Sequence, residues 1–137
     1  MSDRALAPPF QFRRDMGSGV PVYRQIIDQI FGGIASGALD PGQQLPTVRQ
    51  LAVDLAINPN TVVRAYRELE IRGVLATQQG IGTFITRETV QPDEAERQRQ
   101  LSQLVAEFMS RAGGAGFTAD EVVTRIQEFV TDQRRPS

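Results

Sequence analysis

Three stretches in the first half of the chain repeat apolar residues at the three- and four-residue spacing of an amphipathic helix. The first is Tyr23, Ile26, Ile27, Ile30, Phe31 and Ile34. Pro21 suits its opening turn, and Gly37 followed by Asp40-Pro41-Gly42 ends it. The second, Val48, Leu51, Ala52 and Leu55, predicts a short helix over 48–56, with Thr47 and Gln50 spaced as a capping box. The third, Val62, Ala65, Tyr66 and Leu69, predicts a helix over 59–72, capped by Asn58 with Pro59 at its first position. Ahead of them, Phe10 and Phe12 alternate with polar neighbours in 8–14 and predict a short extended arm.

After Gly73 the pattern changes. Residues 74–78 and 83–86 read as two strands around the turn Gln79-Gly80-Ile81-Gly82. Three helices and a hairpin make a winged helix-turn-helix, expected over 8–87. A polar link runs on to Pro92. A helix over 93–112 then carries Leu101, Leu104, Val105, Phe108 and Met109 on one face. Gly113-Gly114-Ala115-Gly116 is expected to break it, and Thr118 with Glu121 to cap a last helix striped by Val122, Ile126, Phe129 and Val130. The expected fold class is therefore mainly α with a small β-hairpin: a winged helix-turn-helix followed by a two-helix C-terminal dimerisation region over 93–133.

Composition narrows the chemistry. The 137 residues include no Cys and no His, which removes thiol and imidazole nucleophiles, disulfides and almost every structural zinc arrangement. No nucleophile with a base beside it can be assembled from what remains, so a small hydrolase finds no support, and neither a metal nor a cofactor is expected. No apolar run approaches the ~20 residues of a membrane span, and the N-terminus lacks the apolar core of a secretory signal, so residence in the cytoplasm without a membrane partner is expected. The net charge of -1 hides an uneven distribution. Residues 1–87 hold nine Arg against seven acidic residues, and 88–137 hold six against nine, so the basic surplus lies with the winged helix.

On a helical wheel the side of 59–72 opposite its apolar arc carries Asn60, Arg64 and Arg67, flanked by Thr61, Val63 and Glu68. Asn and Arg can each make two-pronged hydrogen bonds to base edges in the major groove, and Arg also pairs with phosphate. Taken alone, such a face is more often an ordinary solvated surface, and the surrounding arrangement decides. The short helix, the break at Ile57-Asn58-Pro59 and the second helix supply the layout in which the opening turn of the second helix meets DNA. Thr47 and Arg49 open the preceding helix in the same way, where capping and a solvated Arg explain them as well. Gly80 and Gly82 permit close backbone approach at the hairpin tip, or simply a tight turn.

These residues resemble the GntR family of bacterial regulators over 20–86. The resemblance is carried by Pro21-Val22-Tyr23-Arg24-Gln25-Ile26, by the run from Gly37 through Leu45-Pro46-Thr47-Val48-Arg49 to Ala52, by Asn58-Pro59-Asn60-Thr61-Val62, and by Gly80-Ile81-Gly82-Thr83-Phe84. Asn58 through Glu70, with only about fifty residues after the wing, is similar to the YtrA-like subfamily. The resemblance implies that Arg49, Thr61 and the first turn of the third helix touch DNA, and that Gly80 and Gly82 carry the wing toward the minor groove. Many family members have Arg where this chain has Val63 and an acidic residue where it has Arg64. The DNA-binding set expected is thus Thr47, Arg49, Asn58, Asn60, Thr61, Arg64, Arg67, Gly80, Gly82 and Thr83.

The two C-terminal stripes need a partner surface, because so short a hairpin cannot bury them alone. A second copy supplies one most cheaply, through Leu101, Leu104, Val105, Phe108, Met109, Val122, Ile126 and Phe129, and brings two recognition helices to a palindrome; packing back on the chain's own winged helix is the alternative. The expectation is a homodimeric, sequence-specific repressor of transcription on double-stranded operator DNA, with neighbouring transporter genes implied by the resemblance. The region is too short to enclose a metabolite pocket, so no small-molecule effector is assigned. The alternative is a winged helix serving as a protein-interaction module without specific DNA binding.

Overall fold

The computed structural model describes residues 10–86 and 93–134. The expected boundary residues 8, 9 and 87, and the link to Pro92, lie outside them. The chain forms two compact units, the second spanning Glu88–Asp132 and the first the remainder.

In the first unit the elements run α1 (Val22–Ser36), β1 (Gln44–Leu45), α2 (Val48–Leu55), α3 (Pro59–Ile71), β2 (Leu75–Gln78) and β3 (Gly82–Ile85). α3 packs against both α1 and α2, and β2 follows directly from it. The core is built by Ile26, Ile27 and Ile30 of α1, Leu51, Ala52 and Leu55 of α2, and Val62, Ala65, Tyr66 and Leu69 of α3. Leu45, Leu75 and Ile85 close it from the sheet. Phe31 and Ile34 share the apolar stripe of α1 in sequence but remain partly solvent-exposed, outside this cluster. Phe31 instead carries the Arg72 guanidinium over its ring at 5.8 Å.

The hairpin gains a third strand that the sequence pattern does not announce. β1 pairs antiparallel with β3, Gln44 opposite Phe84 and Leu45 opposite Thr83, giving the order β1-β3-β2. Two residues are too few to show a period. The strand forms because Leu45 is buried in the core while the neighbouring backbone meets an open edge of β3.

The N-terminal segment is anchored rather than extended as a strand. Phe10 and Phe12 meet edge to face at 5.0 Å and pack on the core. Two glutamines one turn apart on α1 then act as peptide surrogates. Gln29 accepts from the Arg13 N–H at 2.7 Å and donates to the Arg13 carbonyl at 2.6 Å. Gln25 accepts from the Asp15 N–H at 2.8 Å and donates to the Asp15 and Val20 carbonyls. Together they satisfy alternate backbone groups of the segment, as a neighbouring strand would.

The second unit holds α4 (Glu94–Gly114) and, as far as Asp132, α5 (Ala119–Arg134). α4 runs through Gly113 and Gly114, contrary to the expected break, because glycine weakens a helix without forbidding it. It stops at Gly116, whose φ is +93°, where the Phe117 N–H returns to the Ala112 carbonyl and the Gly116 N–H to that of Gly113. The capping box of α5 forms in both directions: the Glu121 N–H donates to Thr118 Oγ1, and the Thr118 N–H to Glu121 Oε1, each at 3.2 Å. α4 and α5 do not pack along one another. Leu101, Leu104, Val105, Phe108, Ile126 and Phe129 remain exposed, and Met109 and Val122 half-buried.

Candidate nucleic-acid interface

α2 and α3 are joined by a turn that lacks glycine. Ala56 takes the left-handed conformation, φ +54°, and its N–H and that of Ile57 return to the carbonyls of Val53 and Ala52. Arg14 completes this end of α2 by donating from Nη1 to the carbonyls of Ala56, at 3.0 Å, and Leu55, at 3.4 Å. A cation on the last carbonyls of a helix complements its dipole, so the N-terminal segment braces the turn on which the orientation of α3 depends.

The start of α3 is set by Asn58, whose side-chain oxygen accepts from the Asn60 N–H at 2.8 Å, with Pro59 beginning the helix. Asn60, Arg64 and Arg67 are exposed, Thr61 and Val63 half-buried, and Val62, Ala65, Tyr66 and Leu69 buried, so the wheel separates the two faces as expected. Thr47 caps α2 by accepting from the Gln50 N–H at 3.1 Å. The reciprocal half of that box does not form, because the Gln50 amide donates instead to Asp54 Oδ1 at 2.6 Å, one turn further on. Tyr66 locks the two helices to the loop between them and β1: its buried hydroxyl donates to the Pro46 carbonyl at 2.8 Å. Burial pushes its pKa above the ordinary value near 10, so the phenol stays protonated.

The arginines sort by partner. Arg24, Arg72, Arg97, Arg99 and Arg125 each pair with a carboxylate of their own helix. Arg49, Arg64 and Arg67 have no acidic partner among the described residues. Arg64 instead lies over the ring of Tyr23, with its guanidinium carbon 3.7 Å from the centroid. The helix-turn-helix face thus keeps three positive charges without a carboxylate partner, Arg49 in the first turn of α2 and Arg64 and Arg67 along the exposed side of α3, an arrangement that attracts phosphate.

The wing is tied to the far end of α3. Thr77 Oγ1 donates to Glu70 Oε2 at 2.6 Å, and Thr83 Oγ1, 3.2 Å away, must therefore donate to Thr77. The Thr83 hydroxyl is spent inside the hairpin rather than presented with Asn60 and Arg64. At the tip, Gly80 has φ +80° and Gly82 φ +148°, with exposed Ile81 between them. Gln44 of β1 reaches across to donate to the Ile81 carbonyl at 3.2 Å. Sequence reasoning passed over Tyr23, Gln44 and Arg14. Each acts across a tertiary contact, and only the position of Tyr23 on the helical stripe of α1 carried a local signal.

A helix-turn-helix whose second helix exposes Asn60, Arg64 and Arg67 on one side, with a β-hairpin behind it, defines a winged helix-turn-helix DNA-binding protein. Residues 22–85 match the family model described as "Bacterial regulatory proteins, gntR family". The HTH-type transcriptional repressor YtrA of Bacillus subtilis is 36% identical over 118 residues, spanning 86% of this chain and 91% of that protein. A solved structure titled as a transcriptional antiterminator from Listeria monocytogenes aligns with a TM-score of 0.66 at 28% identity, covering 91% of this chain and 93% of the other. AraR(DBD) in complex with operator ORX1 aligns over 57% of this chain and 98% of its own, with a TM-score of 0.50 at 27% identity. The chain belongs to the GntR family of transcriptional regulators, in its YtrA-like branch, and its helix-turn-helix is a DNA-binding one. It is a regulator and not an enzyme. Among the described residues no helix is long and apolar enough to cross a membrane.

Proposed function

We propose that this protein is a homodimeric repressor that binds a palindromic operator in double-stranded DNA. The observation that carries the reading is the set of arginines without a carboxylate partner among the described residues, Arg49 in the first turn of α2 and Arg64 and Arg67 on the exposed side of α3. Asn60 and Thr61 in the first turn of α3, with Arg64 and Arg67 beyond them, are the candidates for base and phosphate contacts, and Thr47, Arg49 and Asn58 for backbone contacts. The tip at Gly80 and Gly82 approaches the duplex through its backbone, and Thr83 acts through hairpin shape. The named repressor activity of YtrA and the operator bound in the AraR complex are consistent with this role.

Two copies are required because one helix-turn-helix reads half a site. The exposed stripe of Leu101, Leu104, Val105 and Phe108 on α4, with Ile126 and Phe129 on α5, is offered to a second copy of the same chain. Met109 and Val122 border it.

Selection of bound duplexes from random DNA tests the operator and its symmetry, and a reporter gene placed behind the selected sequence tests repression. A palindromic consensus is expected, with Arg64→Ala and Arg49→Ala each weakening binding to it by about 1–3 kcal/mol. An electrophoretic shift unchanged by both substitutions would sink the assigned face.

A further inference from the structure

We infer that Tyr23, a residue of α1 outside the helix-turn-helix, is a positioning residue that holds Arg64 ready for DNA without neutralising it. This inference rests on the proposed contact between Arg64 and the operator. Tyr23 is half-buried in the first turn of α1, and Arg64 is exposed on α3, one turn beyond Asn60. The guanidinium carbon sits 3.7 Å above the ring centroid, close enough for the planar group to rest on the ring face. Stacked that way, its N–H donors fan outward and remain free for phosphate or a base edge.

The choice of partner has an electrostatic consequence. A long exposed arginine loses rotamer entropy when it binds, so prior restraint lowers the cost of association. A carboxylate would supply restraint, as it does for Arg24, Arg72, Arg97, Arg99 and Arg125. It would also cancel the charge and repel phosphate. An aromatic face restrains the guanidinium and leaves its full charge. Arg72 is the internal contrast: it lies over Phe31 at the longer distance of 5.8 Å and pairs with Glu68 at 3.3 Å, which suits an arginine that braces a helix end. Tyr23 Oη has no hydrogen-bond partner among the described residues, so the ring alone performs the task.

The test is a double-mutant cycle on the full chain, with anisotropy of a fluorescent duplex carrying the selected consensus and a melting curve for every variant. Tyr23→Phe is expected to bind as wild type. Tyr23→Leu, and Tyr23→Met as a second variant of similar bulk without a ring, are expected to bind about three- to tenfold more weakly. In an Arg64→Ala background neither is expected to weaken binding further. Equal losses in both backgrounds would assign Tyr23 a general structural role and overturn the inference. So would full affinity for both ring-less variants while Arg64→Ala binds poorly. If Arg64→Ala itself binds as wild type, the contact on which the inference rests is wrong, and the rest of the proposed face is judged by Arg49→Ala.

Discussion

Gly82→Ala is the substitution for which the geometry makes the sharpest demand. The residue opens β3 opposite Gln78, and its φ of +148° lies where L residues are rarely found. Holding an alanine there costs about 1–3 kcal/mol. A Cβ would also overlap the Gln44 side-chain amide, which now donates to the Ile81 carbonyl. The amide can swing away, forfeiting that hydrogen bond at about 0.5–1.5 kcal/mol, since the site is exposed. The sum is about 1.5–4.5 kcal/mol, and at about 4–8 °C per kcal/mol for a domain of this size it is a large drop in Tm. Thermal melting by circular dichroism measures it. Gly82→Ala made in a Gln44→Ala background and measured against Gln44→Ala alone separates the two causes: the hydrogen bond is absent from both chains and only the dihedral strain differs, so most of the loss should persist. Gly80→Asn is the control, because its φ of +80° is one that Asn tolerates and nothing lies within 4 Å of the added Cβ. A Gly82→Ala protein melting within about 2 °C of wild type would refute the reasoning, and a Gly80→Asn protein that melts as low as Gly82→Ala would refute the distinction.

Two further outcomes are expected. Tyr66→Phe removes the hydrogen bond to the Pro46 carbonyl and should cost about 1 kcal/mol in urea denaturation at neutral pH. Because burial raises the folded-state pKa of this phenol, its contribution is complete below the ordinary value near 10 and is lost as pH rises beyond it. Tyr66→Phe should therefore flatten the alkaline decline of stability, and an unchanged decline would mean that the phenol ionises freely in the fold. Phe108→Glu places a charge on the exposed stripe of α4 and should convert dimer to monomer in sedimentation equilibrium without lowering helix content; a dimer that persists would remove this stripe from the interface.

How far the sequence carried can be judged at particular residues. The three helices and the hairpin were legible because each is written in local periodicity and punctuation. The Asn58 cap, Pro59, and Gly73 after α3 act on neighbours within a few positions, so their effect does not depend on the rest of the fold. The stop at Gly113 was misplaced because composition shows where a left-handed residue is permitted, while the backbone decides which permitted residue uses it, here Gly116. The capping box at Thr47 formed by half because Gln50 had a second partner, Asp54, on its own helix. At Thr118 no such competitor intervened, and the box closed.

The outward character of Asn60, Arg64 and Arg67 followed from the 3.6-residue period of α3 alone, since a helix with one apolar arc must expose the other. The environment of those side chains did not follow. That Tyr23 stacks on Arg64, that Gln44 steadies the wing, that Arg14 caps α2 and that two glutamines of α1 hold the N-terminal segment are all contacts between residues 10 to 42 positions apart. Pattern along a chain determines which face of an element is buried. The relative rotation and translation of packed elements, set jointly by the whole core, determine which side chains from different elements meet.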